Sequence, residues 1–294
     1  MSVYEFRQSG ADFSVAPALT PESTYIPPAF LPPFVRKIGA LASEIGFADA
    51  VTEVFDRANI HVELEGDLSP ADGQGLIIAG DHGQRIEPLL VQAAMSKADR
   101  EASRVIAMPV SFAGRLMQGS SQEGKDLIIP VIPTKWAAEN SFSLNDPRNM
   151  VRRIKHPDVL NQPKASLQKL NAEAMTTAAD HAAEGGTVTI FPTCNSIELP
   201  WRNGIGHIVS GLPEDAWANT HIAAFRPEPF SIKGVMSSLL LRDMGIRPKH
   251  QTLALSIHSL GPAEEFLADA DQDAARIAEV IRRRYLQQFT SEQQ

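Results

Sequence analysis

Short apolar runs and longer amphipathic stretches alternate along most of the chain. The apolar runs have the length of buried strands, which predicts strands over 61–64, 75–79, 104–108, 127–133, 187–191, 221–225 and 252–258. Between them, apolar residues recur at helical spacing, which predicts helices over 34–58, 88–96, 164–184 and from 261 to about 288. Strands that alternate with helices indicate an α/β fold built around a central sheet.

The first 33 residues differ from the rest, because they are rich in Pro, Ser and Thr. This composition favours an extended arm or a disordered tail. Residues 34–294 contain no fixed-period repeat and no evident linker, so we expect one domain there. Its first amphipathic stretch fits a helix packed on the core, and a helix lying on a membrane surface is the alternative.

Composition narrows the classes of partner and compartment. With 43% hydrophobic and 21% charged residues in 294, the chain has the balance of a globular protein. A formal net charge of -8 gives no support to a nucleic-acid partner. A single cysteine excludes an intrachain disulfide and fits a reducing, cytoplasmic setting. No secretory signal or membrane-spanning run is evident, so a lipid substrate implies work either at a membrane surface, on its inner face, or on carrier-bound chains.

The first chemical signal follows the predicted strand 75–79. The sequence there reads Gly-Leu-Ile-Ile-Ala-Gly-Asp-His-Gly-Gln-Arg-Ile-Glu-Pro, from Gly75 to Pro88. His82 lies in the turn and Glu87 follows five residues later, before a helix-starting proline. A carboxylate that folds back on a histidine fixes its tautomer, so that the other ring nitrogen acts as a general base. On spacing alone, a surface histidine with Glu87 capping the helix is the simpler interpretation.

The second signal is Phe191-Pro192-Thr193-Cys194-Asn195-Ser196, which follows a Gly-Gly helix stop and an apolar strand. Together and in this order, the two segments resemble the glycerol-phosphate and lysophosphatidate acyltransferase family. That family has Asn-His-x4-Asp after one strand and Phe-Pro-Glu-Gly-Thr-Arg-Ser after a later one. The flanks from residue 61 to 227 also follow the family's order.

The resemblance implies a fold with a central mixed sheet flanked by helices, and transfer of a fatty acyl group from acyl-CoA or acyl-carrier protein to a hydroxyl or amine. No cofactor is implied beyond that thioester co-substrate. His82 takes the position of the general base and Glu87 that of its orienting carboxylate. Glu in place of Asp keeps the charge and lengthens the side chain by one methylene.

The second motif departs from the family. Thr193 and Ser196 stand where the family has the Glu that contacts the acceptor and the Arg that holds its phosphate, and Cys194 replaces a glycine. We therefore expect an acceptor other than the usual glycerol phosphate. Candidate anion ligands, each of which is equally a plain surface arginine, are Arg85, Arg115, Arg202 and Arg226. Candidate acceptor contacts are Thr193, Cys194, Asn195 and Ser196.

Three functions stay open on the sequence. The first is an acyltransferase with a changed acceptor. The second is a non-catalytic relative that binds an acyl chain or a partner protein, and the third is a thioesterase-like hydrolase. Cys194 beside His82 also fits an acyl-cysteine intermediate, although a small buried cysteine is the simpler assignment.

Overall fold

The computed structural model describes residues 32–66, 73–80, 86–107, 112–134, 162–192 and 201–290. Its strands are β1 Ile60–Glu65, β2 Gly75–Gly80, β3 Arg104–Ala107, β4 Ile128–Pro130, β5 Thr187–Ile190, β6 Thr220–Pro227 and β7 Gln251–Pro262. Its α-helices are α1 Pro33–Ile45, α2 Phe47–Arg57, α3 Glu87–Lys97, α4 Phe112–Ser120, α5 Gln122–Asp126, α6 Lys164–Ala183, α7 Gly204–Ser210, α8 Ile232–Asp243, α9 Ala263–Asp269 and α10 Ala274–Thr290.

The strands form one sheet in the order β1-β7-β6-β2-β5-β3-β4. Neighbours from β6 to β4 are parallel, β7 is antiparallel to β6, and β1 is parallel to β7. The predicted α/β fold with a central mixed sheet flanked by helices is therefore confirmed. Pro130 lies in β4, an edge strand of this sheet, where a missing N–H costs no ladder hydrogen bond.

The central strand β2 is buried on both faces, and its side chains alternate between two cores. Leu76 and Ile78 pack among side chains of α1, α2, α3 and α8, whereas Ile77 and Ala79 pack among those of α6, α7, α9 and α10. Helices thus cover both faces of the sheet, which is how parallel strands bury continuous apolar runs.

Two predicted helices are in fact pairs of helices, and the helices α4, α5 and α8 are missing from the prediction. Gly46, with φ at 83°, separates α1 from α2, a conformation that glycine adopts without strain. Residues 270–273 separate α9 from α10, with Asp271 and Gln272 also at positive φ. Helix α8 covers the apolar run 235–241, which the sequence indicated only as too short to cross a membrane. None of the helices in the described residues has the length and apolarity of a membrane span.

His181 lies in the last turn of α6, at the opposite end of the sheet from the carboxyl ends of the parallel strands. Its ring lies against Gly186. Burial of the imidazole and the nearby positive charge of Arg104 lower the pKa of His181 from 6.5 to about 4. Between these values the unfolded chain binds more protons than the native state. The native state therefore loses stability as the pH falls through this window.

We expect the free energy of unfolding to drop by up to about 2 kcal/mol on this account between pH 6.5 and about pH 5. His181→Gln should remove this part of the drop in urea titrations at the two pH values. His61→Gln, at a side chain that is half exposed, is the matched control. Asp180, whose pKa is raised by burial and by Glu184, is common to all three proteins and cancels. An unchanged slope in His181→Gln would contradict the assignment.

Candidate active site

Five strands end at one edge of the sheet, because β2, β3, β4, β5 and β6 run in the same direction. The segments 81–85, 108–111 and 193–200 follow the described ends of β2, β3 and β5 at this edge, and they lie outside the described residues. Both chemical signals of the sequence therefore begin at the carboxyl ends of neighbouring strands. This is where α/β proteins commonly bind their ligands.

The ends of β2 and β5 are in direct contact. Ala79 pairs with Ile190, and a Cβ added to Gly80 would come within 2.6 Å of Cε1 of Phe191. Glycine at position 80 thus lets the Phe191 ring lie against the end of β2. Since adjacent strands are about 4.8 Å apart, the segments that carry His82 and Thr193 start side by side.

Glu87 is the first residue of α3, and its side chain is 0% exposed. The helix begins at the carboxyl edge of the sheet and is buried from Glu87 to Met95, so the carboxylate is held inside the protein. The positive end of the helix dipole favours a negative charge there. A carboxylate that only capped an exposed helix would stay hydrated. Because burying a charge is costly, the fully buried position of Glu87 sets it apart from a carboxylate at an exposed helix end.

Both ends of the segment 193–200 are fixed to the edge of the sheet. The N–H of Arg202 donates to the carbonyl oxygen of Pro192 at 3.2 Å, which closes the loop at its base. Trp201 contacts Tyr285 edge to face at 5.2 Å between ring centroids. The buried hydroxyl of Tyr285 donates in turn to the carbonyl oxygen of Phe225, in β6, at 3.0 Å. The loop therefore starts at β5 and returns to a point anchored on β6, with β2 between these strands.

This anchor was missed by the sequence analysis. Tyr285, on the last helix, is fully buried. Its contact with Trp201 joins segments far apart in the chain, and no local pattern reports such a contact. A tryptophan directly after the second motif was the available signal.

Of the four arginines predicted as anion ligands, two have side chains that the structure describes. Arg202 is exposed at the base of the loop, and Arg226 lies at the end of β6 with its guanidinium carbon 5.4 Å from the centroid of Phe289. Arg115 belongs to α4, a helix that begins just after the end of β3, and only its backbone is described. The other predicted site residues, which lie outside the described residues, are His82, Arg85, Thr193, Cys194, Asn195 and Ser196. The contact between His82 and Glu87 stays a prediction.

Within the described residues, no three His, Cys, Asp or Glu side chains converge as ligands for a metal ion. Comparison of the sequence with models of protein families gives no match. Comparison with curated proteins gives no significant match either.

Proposed function

We propose that this chain is an acyltransferase that moves a fatty acyl group from a thioester, either acyl-CoA or acyl-carrier protein, to a hydroxyl or amine. The observation that carries the proposal is Glu87, a fully buried carboxylate at the start of α3 and at the carboxyl edge of the central strand. It follows His82 by five residues, and we propose that the two side chains meet over this short spacing. A buried carboxylate next to a loop histidine is the arrangement of a general base.

In the proposed reaction, His82 accepts the proton of the acceptor O–H or N–H, while Glu87 accepts a hydrogen bond from the other ring nitrogen. The acceptor oxygen or nitrogen attacks the thioester carbonyl carbon and forms a tetrahedral oxyanion, which hydrogen-bond donors at the site stabilise. Collapse breaks the carbon–sulfur bond. The departing thiolate takes the proton from the His82 imidazolium, and the acylated acceptor remains.

The proposed acceptor is not glycerol phosphate. Thr193 and Ser196 replace the acidic and basic residues that the resembling family uses on that acceptor. Arg202 and Arg226, at the ends of the second loop and of β6, are the described cations that can meet an acidic group on donor or acceptor. We propose that the enzyme works in the cytoplasm or at the inner face of a membrane.

The test is to incubate the purified protein with palmitoyl-CoA and a small-molecule cell extract, and to follow thiol release together with product masses. Acyl transfer predicts thiol release that depends on the extract, and new species heavier than an extract component by one palmitoyl group. Thiol release with free palmitate and no extract would indicate the hydrolase instead. Binding of the thioester without either product would indicate the non-catalytic relative. Repeating the assay with palmitoyl-carrier protein separates the two donors.

A further inference from the structure

In the described residues, four large apolar side chains are strongly exposed, and three of them cluster at the end of α8. Leu240 is 45% exposed, Met244 72% and Ile246 47%. The fourth, Ile45, is the last residue of α1. This end of α1 lies near α5, since the N–H of Phe47 donates to the carboxylate of Glu123 at 2.9 Å. We call Leu240, Met244 and Ile246 the apolar tip.

The apolar tip has a defined backbone. Leu240 and Met244 are four residues apart and share one face of the helix end. Gly245 then adopts a φ of 77°, and the N–H of Ile246 donates to Leu241 at 2.9 Å while that of Gly245 donates to Arg242 at 3.0 Å. This is the Schellman pattern of a helix C-terminus. It holds Ile246 close to the last turn of α8, so the three exposed side chains lie at the same end of this helix.

The residues around the apolar tip are positively charged. Between residues 231 and 250 the basic side chains are Lys233, Arg242, Arg247 and Lys249, all exposed, and the only carboxylate is Asp243. Asp243 forms an ion pair with Lys37 at 2.5 Å, and its side chain is only 6% exposed. Its charge is therefore covered and neutralised. The segment therefore carries a net positive charge on a chain whose net charge is -8.

The apolar tip lies at the same end of the molecule as the candidate active site. Gly80 at the end of β2 is level with Phe225 of β6, which pairs with Ile257 of β7. Strand β7 is antiparallel to β6 and begins at Gln251. Its start therefore lies about 20 Å beyond Ile257, at about 3.3 Å per residue, in the direction in which β2 and β6 end. The carbonyl of Pro248 accepts a hydrogen bond from Asn59 at 3.2 Å, which holds the segment after α8 at the start of β1.

We propose that the apolar tip and its basic rim dock onto an anionic phospholipid bilayer, with Leu240, Met244 and Ile246 entering the interface and the cations meeting lipid phosphates. Apolar residues amid exposed Lys and Arg are the composition of a peripheral membrane contact. A second copy of this chain fits poorly, because two such surfaces repel each other. Docking in this way directs the carboxyl edge of the sheet, where the candidate active site lies, towards the bilayer.

The test is sedimentation of the full-length protein with large vesicles, made either of phosphatidylcholine alone or of phosphatidylcholine with phosphatidylglycerol. We expect binding to the anionic vesicles that weakens with added salt. The double variant Leu240→Asn/Met244→Asn should bind at least tenfold more weakly. Arg242→Gln/Arg247→Gln/Lys249→Gln should lose a similar factor. Ile45→Asn, at the other exposed apolar residue, is the matched control and should bind as the unaltered chain does.

Urea titration of each variant checks that the fold is intact. Unaltered vesicle binding by a folded Leu240→Asn/Met244→Asn variant would overturn the proposal. The proposal would also be overturned if the unaltered chain did not bind vesicles and substitution of the apolar tip changed the oligomeric state. That result would identify a second copy of this chain as the partner of the apolar tip. Vesicle binding involves no turnover, so this result is independent of acyl transfer, and His82→Ala should bind vesicles normally.

Discussion

His82→Ala is expected to lower kcat/KM for acyl transfer by about a thousandfold, because the variant has no group to take the proton of the acceptor. The free energy of unfolding should stay within about 0.5 kcal/mol of the original, because the role proposed for His82 is in catalysis and not in packing. The measurement is thiol release from the thioester in the presence of the active acceptor fraction, paired with a urea titration.

His207→Ala is the matched control, because His207 is an exposed histidine on α7, the helix that follows the second loop. It should retain full activity. Full activity in His82→Ala would remove the assignment of the general base. A thiol reagent that abolishes activity through Cys194, combined with a persistent acyl-protein adduct, would instead support the acyl-cysteine intermediate.

The sequence predicted the centre of the sheet well because β2 and β5 are buried on both faces. Leu76, Ile77, Ile78 and Ala79 are all 0% exposed, and such continuous apolar runs between helices are characteristic of a parallel sheet. Helix α6 was equally clear. Its predicted stripe of Leu167, Leu170, Ala174, Met175, Ala178 and Ala182 is buried throughout. In both cases a local pattern determines which side of an element meets the core.

Features that depend on distant contacts were not predictable from such patterns. The reversal of β7 relative to β6 is a tertiary choice, as is the anchor from Trp201 through Tyr285 to β6. Helix α8 has a buried face of only Val235, Ser238 and Leu239. The exposed Leu240, and Met244 directly after the helix, interrupt the amphipathic pattern by which a helix is recognised. The exposure of these two side chains made the helix hard to predict, and it is also the basis of the membrane contact that we propose.

The candidate site divides in the same way. The described ends of β2 and β5, after which the two motifs follow, lie side by side because the strands are adjacent and the Phe191 ring lies against Gly80. The sequence placed both segments after strands, but it could not give the order of the strands. The full burial of Glu87 was also not predictable from the sequence, since a glutamate before a helix-starting proline most often faces solvent. That burial is the reason why Glu87 is a candidate for more than a cap of α3.

Glu87→Gln should therefore lower kcat by about a hundredfold to a thousandfold, because an amide no longer fixes the His82 tautomer or stabilises the imidazolium. Its effect on folding should be small or favourable, since a neutral amide is less costly to bury than a carboxylate. Glu101→Gln, at an exposed carboxylate, is the control and should change neither quantity. The measurements are turnover with the identified acceptor and urea unfolding.

The combination of the two measurements decides the role of this carboxylate. If Glu87 only caps α3, Glu87→Gln should lower the free energy of unfolding by about 1 kcal/mol and leave turnover unchanged. A loss of turnover without a loss of stability identifies a group kept buried for catalysis. Glu87→Asp refines the test, because the shorter side chain keeps the charge but withdraws it by one methylene. A misplacement of about 1 Å should cost about a hundredfold in rate, and a folded Glu87→Asp variant with that loss of turnover would show that the length of the glutamate is matched to His82.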